Sequence, residues 1–353
     1  MWNKQDLEAK LKYLDELFKN TRNKKKKSEI LVDKITILKM LELLKGRRIT
    51  LYNDPLLFLK KLSLKRDTKK CENYESLEFF HVLVDLKYSF ELCKSLALIP
   101  YIDLKDTWPL SSEEECINEV VDFARKINDP ELGNAILSVI NDKDHLYLST
   151  GYKDSELSKY KAVNFELSTF KESYIMYPPK SSILLHEVVH TIDNKINGYN
   201  ISSYPYSGEV PATALEIYKD TLEGNMDALI NLLTLAKKTI IIACKQNPNY
   251  FSLTETAKLE FQDVKNRTRD IIERFLTVKS YLISAVFAKK MIDNEKEGLK
   301  EYKELLKTKF PKDSIPDYSK WGITNEVIID YSKNLINYFS EYQKDKEKGG
   351  KSI

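Results

Sequence analysis

Apolar residues recur at helical spacing through most of the chain. "QDLEAKLKYLDELF" puts Leu7, Leu11, Leu14 and Leu17 on one stripe and predicts a first helix. "RNKKKKS" then reads as a solvated loop between helices, because no aromatic residues are interleaved with its lysines. "SEILVDKITILKMLELLKG" predicts a second helix, with Ser28 as N-cap and Gly46 as its stop. "NDPLLFLKKLSL" offers a helix start at Pro55, and "YESLEFFHVLVDLKYSFELCKSLAL" predicts a long helix ending before Pro100. In "SSEEECINEVVDFARKI" a serine precedes three glutamates, whose charges complement the positive end of a helix dipole. "DPELGNAILSVIN" is another helix start.

The texture then changes. "HLYLSTGY", "KAVNFELSTF" and "ESYIMY" are rich in aromatic and β-branched residues and partly alternate, which predicts a small sheet. "YPPKSS" ends the last strand and prepares a helix start at Ser181 or Ser182. Beyond residue 208 the helical pattern returns. It runs through "EVPATALEIYKDTL", "NMDALINLLTLAKKTIIIACKQ", the long stretch from "SLTETAKLEF" to "AVFAKKMIDN", "EGLKEYKELLKTKF" and "NEVIIDYSKNLINYFSEYQKD". The final "KEKGGKSI" reads as a frayed tail. The expected division is an N-terminal helical region over 1–110, a second domain over 111–345 and a tail over 346–353.

Charge narrows the function classes. With 56 basic and 53 acidic residues the formal net charge is +3, which calls for neither nucleic acid nor an anionic membrane as partner. The most apolar run is broken by Lys237 and Lys238 and reads as a buried helix. "MWNKQDLEAK" has no apolar signal core. Cys71, Cys93, Cys116 and Cys244 form no C-x-x-C pair and read as free thiols in a reducing compartment. A cytoplasmic location is the expectation.

The chain has four histidines, and two of them stand in "SSILLHEVVHTID". Positions i and i+4 share one helix face, so His186 and His190 can direct two imidazoles at one ion. Neutral imidazole nitrogens suit zinc. Glu187 follows the first of them and is placed to take a proton from a water at that ion, the H-E-x-x-H arrangement. Ile183, Leu184, Val188, Val189 and Ile192 surround the polar triplet, so the helix should be buried. Burying such a cluster is costly unless something satisfies it. The competing reading is a hydrogen-bonded pair of core histidines. His81 and His145 stand alone and read as structural.

A catalytic zinc takes a third protein ligand and keeps one position open. "YSGEVPATALEIYKD" supplies two candidates: Glu209 in the first turn of a predicted helix and Glu216 two turns on, on the same side. One would bind the metal, and the other would support a ligating histidine through a hydrogen bond.

"HEVVH" followed by "EVPATALEIY" resembles the zinc site of the thimet oligopeptidase and oligoendopeptidase F family. The resemblance implies that His186, His190 and Glu209 hold one Zn²⁺ per chain, with Glu187 as general base. It places Glu216 at a second glutamate frequent in the family, and Asp193 where many members carry another histidine. Both are taken as supports for the ligands. It extends more loosely over residues 117–343, through "DFARKINDPELGNAILSVINDKDHLYL" and the C-terminal helices. The implied fold is mainly α and zincin-like (a gluzincin), with a small sheet beside the active-site helix and the N-terminal helices as one wall of a cleft. The implied activity is zinc-dependent endopeptidase action on oligopeptides.

The departures are specific. Val189 replaces the family's usual glycine, and the spacing to Glu209 is shorter. The family has a loop bearing tyrosines and a glycine before "ISAVFAKK", one tyrosine stabilising the oxyanion; here the stretch reads "RFLTVKSYLISA". Tyr281 is its one tyrosine and the expected catalytic donor; Lys279, Tyr204 and Tyr206 are alternatives. The chain is also shorter than family members. Two other functions stay open: a silenced peptidase that binds peptides, and a selective protease acting on one protein partner.

Overall fold

The computed structural model describes residues 2–45, 112–149, 162–199, 207–226, 228–230, 232, 269–311 and 316–335, with side chains of the segment from 269 given from residue 277 onward. Among them it is mainly helical with one three-stranded sheet. They fall into two units, one holding residues up to 199 and the other residues from 207 onward. The predicted helices after Pro55, most of the apolar run around Lys237, the C-terminal tail, His81, Cys71, Cys93 and Cys244 lie outside the described residues. Cys116 is fully buried.

In the first unit, α1 (Lys4–Asn20) starts where Asn3 Oδ1 accepts from the amides of Gln5 and Asp6. Leu7 and Leu14 are fully buried, and Leu11 and Leu17 pack beside them as the stripe predicted. The second helix corrects the sequence reading. α2 (Lys24–Leu44) is capped by Asn23, whose side chain accepts from Lys26 N, so the lysine run forms the first helical turn and not a loop. Ser28 lies inside the helix, its hydroxyl donating to Lys24 O. Lysine is a good helix former, and dissolved salt screens the repulsion between exposed lysines.

α3 (Glu113–Lys126) begins with the expected box: Ser112 Oγ accepts from Glu115 N, and the Glu115 carboxylate accepts from Ser112 N. α4 (Pro130–Ile140) has Asp129 as N-cap and proline in its first turn. Where α4 crosses α3, Gly133 lets the backbones touch; a Cβ there would sit 2.3 Å from Ala124 O. Gly133→Ala should therefore destabilise the first unit by about 1–3 kcal/mol, because the obstacle is main chain that cannot rotate away. A denaturant midpoint within error of wild type would show that the helices separate freely.

The sheet has the order β1 (Leu146–Leu148), β3 (Glu172–Tyr177), β2 (Val163–Leu167). β1 runs parallel to β3 and β2 antiparallel, with Asn164 opposite Ile175. Alternation sorts the side chains. Phe165, Leu167, Tyr174 and Met176 join Trp2 and the apolar faces of α1 and α2 in one core. The opposite face, with Asn164, Glu166 and Ser173, is covered by α5 (Ser181–Asn197). The sheet thus lies between the N-terminal helix pair and the histidine helix. Asp33 of α2 clasps the β2–β3 turn, accepting from Ser168 N (3.1 Å), Ser168 Oγ (3.3 Å) and Thr169 N (2.7 Å).

The second unit is helical. α6 (Glu209–Leu222) packs along α7 (Arg269–Asp293), and α8 (Glu295–Leu306) folds back on α7 with Gly298 against the Met291 backbone. The Tyr302 hydroxyl of α8 donates to Pro211 O in the first turn of α6 (3.0 Å), and Tyr218 donates to Glu295 (3.0 Å). Residues 325–335 are helical. Among the described residues no helix is long and apolar enough to cross a membrane.

Candidate metal site

α5 begins at Ser181 as expected, although Lys180 is the capping residue and offers no side-chain cap. The Ser181 hydroxyl instead donates to Glu119 and ties α5 to α3. The helix is apolar nearly all round, and Leu184, Leu185, Val188, Val189 and Ile192 are buried. Proline and a strand precede it and Gly198 follows it at φ 84°, so its ends are set by backbone chemistry.

On this helix His186 and His190 are half-buried, and their Nε2 atoms lie 3.1 Å apart. The rings are nearly perpendicular, 76° between planes, with centroids 4.8 Å apart. Two imidazole nitrogens about 2.0–2.1 Å from a tetrahedral zinc stand about 3.3 Å from each other. The observed spacing fits that pair of ligands. It equally suits one ring donating an N–H to the other, and the two arrangements differ by the tautomer of one ring. Between them in sequence, Glu187 is only 6% exposed.

The turn carrying these groups rests on a polar seam with the sheet. Asn164 Nδ2 donates to Glu187 O (3.0 Å) and to Thr191 Oγ1 (2.8 Å). Asn194 Nδ2 donates to Ser173 Oγ (3.4 Å). Burial pushes the Glu166 carboxyl above its ordinary range; a bond from Asn194 opposes this, and the nearby Asp193 and Asp33 charges add to it. A carboxyl raised in the folded state disfavours folding once it must ionise. Glu166→Gln should therefore raise the melting temperature at pH 8. The gain should vanish below about pH 4, where the glutamate is protonated in both states. An unchanged difference across that range would contradict the burial.

Asp193, the predicted support, lies three residues beyond His190 and accepts from Asn197 Nδ2 (2.6 Å). His145 packs on Tyr174, ring centroids 4.2 Å apart, with Nδ1 3.3 Å from Asp142.

In the second unit, Glu209 is the first residue of α6, with Gly208 as N-cap. Pro211 is tolerated there because first-turn amides need no intrahelical partner. Glu209 and Glu216 are half-exposed on a helix whose other positions are largely buried. The stretch before "ISAVFAKK", where the family carries its tyrosine-bearing loop, is helical here as its own pattern predicted, and Lys279 and Tyr281 are half-buried positions on α7. Tyr204 and Tyr206 lie outside the described residues. Sequence reasoning missed Asn164 altogether.

No protein-family model matches this chain, and no curated protein matches it. Among solved structures, it is similar to that of a proposed oligoendopeptidase F from Bacillus anthracis, at 13% identity and a TM-score of 0.46. The match covers 91% of this chain and 63% of the other, so the chain spans less than two thirds of that protein's length. A likeness of this size fixes neither family nor activity.

Proposed function

We propose that the chain is a zinc-dependent peptidase of zincin-like fold acting on oligopeptides. The observation that carries the reading is the pair of Nε2 atoms 3.1 Å apart on one largely buried helix, with the buried Glu187 between them in sequence. In this reading His186 and His190 hold the metal and Glu209 is the third protein ligand. The last assignment rests on its place in the first turn of a helix and on the resemblance of "HEVVH" and "EVPATALEIY" to the oligopeptidase pattern. Asp193 and Glu216 support the ligands.

Bound there, zinc supplies a Lewis acid that polarises a carbonyl and brings the acidity of a water near neutrality. The Glu187 carboxylate accepts the proton of the attacking water and returns it to the leaving amine. Its burial strengthens its charge interactions. Tyr281 is the candidate donor to the oxyanion.

A second reading is favoured by the helical course of "RFLTVKSYLISA". Without a tyrosine-bearing loop, the chain would bind peptides and not cleave them. A quenched-fluorescent peptide library, read with and without chelator, separates the two. Chelator-sensitive cleavage supports the peptidase; saturable binding of the same peptides without cleavage supports the second reading.

A further inference from the structure

We infer that Asn164 is a positioning residue for the His186–Glu187–His190 turn, acting through the backbone of Glu187; this rests on the peptidase reading above. Asn164 stands on β2, the edge strand antiparallel to β3, twenty-three residues before the group it contacts. The Glu187 carbonyl is an acceptor only, so the amide must present its NH₂ to it. The same nitrogen lies 2.8 Å from Thr191 Oγ1, and Thr191 sits 3.4 Å from the same carbonyl, so three polar groups close on one another.

The placement is costly to maintain. Asn164 Oδ1 is buried and has no hydrogen-bond partner among the described residues. A residue whose acceptor goes unsatisfied is kept for what its donor does. An apolar residue would fill the seam between sheet and helix without that penalty. What the amide adds is a directional hold on one turn of α5, the turn whose side chains point His186, Glu187 and His190. A helix packed by apolar contacts alone can rotate or slide slightly. A donor from a strand locked in register with β3 removes that freedom at the carbonyl of the general base.

The discriminating variant is Asn164→Asp. It keeps volume and shape but faces the Glu187 carbonyl with oxygen in place of NH₂. A purely packing role would lower the melting temperature and leave the cobalt spectrum and kcat of the folded protein unchanged; a positioning role changes both. The cobalt-substituted protein is examined first, without substrate, by its visible spectrum, and then kcat and KM are measured on a peptide that wild type cleaves. The expected result is an altered cobalt spectrum and a fall in kcat of about 10- to 100-fold with KM within about twofold. Asn164→Ala, which removes the clash but also the donor, should fall in the same direction and replaces the aspartate variant if that does not fold. Wild-type cobalt spectra and kcat in either folded variant overturn the inference while leaving the peptidase reading in place. A wild-type chain that takes up no cobalt overturns the peptidase reading itself, and this inference with it.

Discussion

Glu187→Gln should leave about one zinc bound per chain and lower kcat by about 10²- to 10⁴-fold. Glutamine matches glutamate in shape, so the buried position beside Val188 and Val189 stays filled. What it lacks is a carboxylate that can take a proton. Neither His186 nor His190 is touched, so their spacing and their metal should persist. The measurement is paired: zinc content by elemental analysis and turnover of a peptide cleaved by wild type. Loss of zinc together with activity would mean that Glu187 supports the histidines structurally. Full activity with zinc retained would remove it as the general base.

The second large effect is on stability. Asp33→Ala should destabilise the first unit by about 2–4 kcal/mol, because it removes the acceptor for Ser168 N, Ser168 Oγ and Thr169 N at once. Asp33 is 1% exposed, so water does not readily replace the lost bonds. Burial also raises its carboxyl above the ordinary aspartate range, and the bonds from Ser168 and Thr169 oppose that rise. The charge is therefore held at a cost, and the turn amides are what make it tolerable. Asp33→Asn should lie between alanine and wild type, since one of its terminal atoms becomes a donor facing a donor. Denaturant unfolding followed by hydrogen exchange at the Ser168 and Thr169 amides reads both effects. Exchange unchanged from wild type in Asp33→Ala would show that the β2–β3 turn is held by its own strands.

Much of this architecture follows from short-range chemistry, and the misreadings have physical causes. The caps at Ser112 and Asp129 act over three residues, and both appear where the pattern places them. The stripe of Leu7 and Leu14 is a period the chain repeats. The lysine run misleads because solvation and helix formation are compatible: Lys24 to Lys26 are exposed and helical at once, and Asn23 supplies the cap that Ser28 was expected to be. The stretch "RFLTVKSYLISA" reads as helix by its own periodicity and is helix, which is where the chain departs from the family's tyrosine-bearing loop.

The histidine pair is visible because i and i+4 fix its geometry within one helix. Asn164 is not, because its partners lie across a strand-to-helix contact. In "VNFEL" the alternation marks Asn164 and Glu166 as the face away from the core of Phe165 and Leu167. Polar residues on an outer strand face ordinarily meet water. Here α5 covers them, and nothing in the local pattern announces a polar seam in place of a solvated one.

The most direct measurement of the central claim is zinc content of the wild-type chain beside His186→Ala and His190→Ala, each purified without added metal and then reconstituted. About one zinc per wild-type chain and almost none in either variant is the expected result, with the fold retained by circular dichroism. Zinc held equally by all three, or by none, would contradict it: the two imidazoles would then be partners of each other on a buried helix and not ligands of a metal.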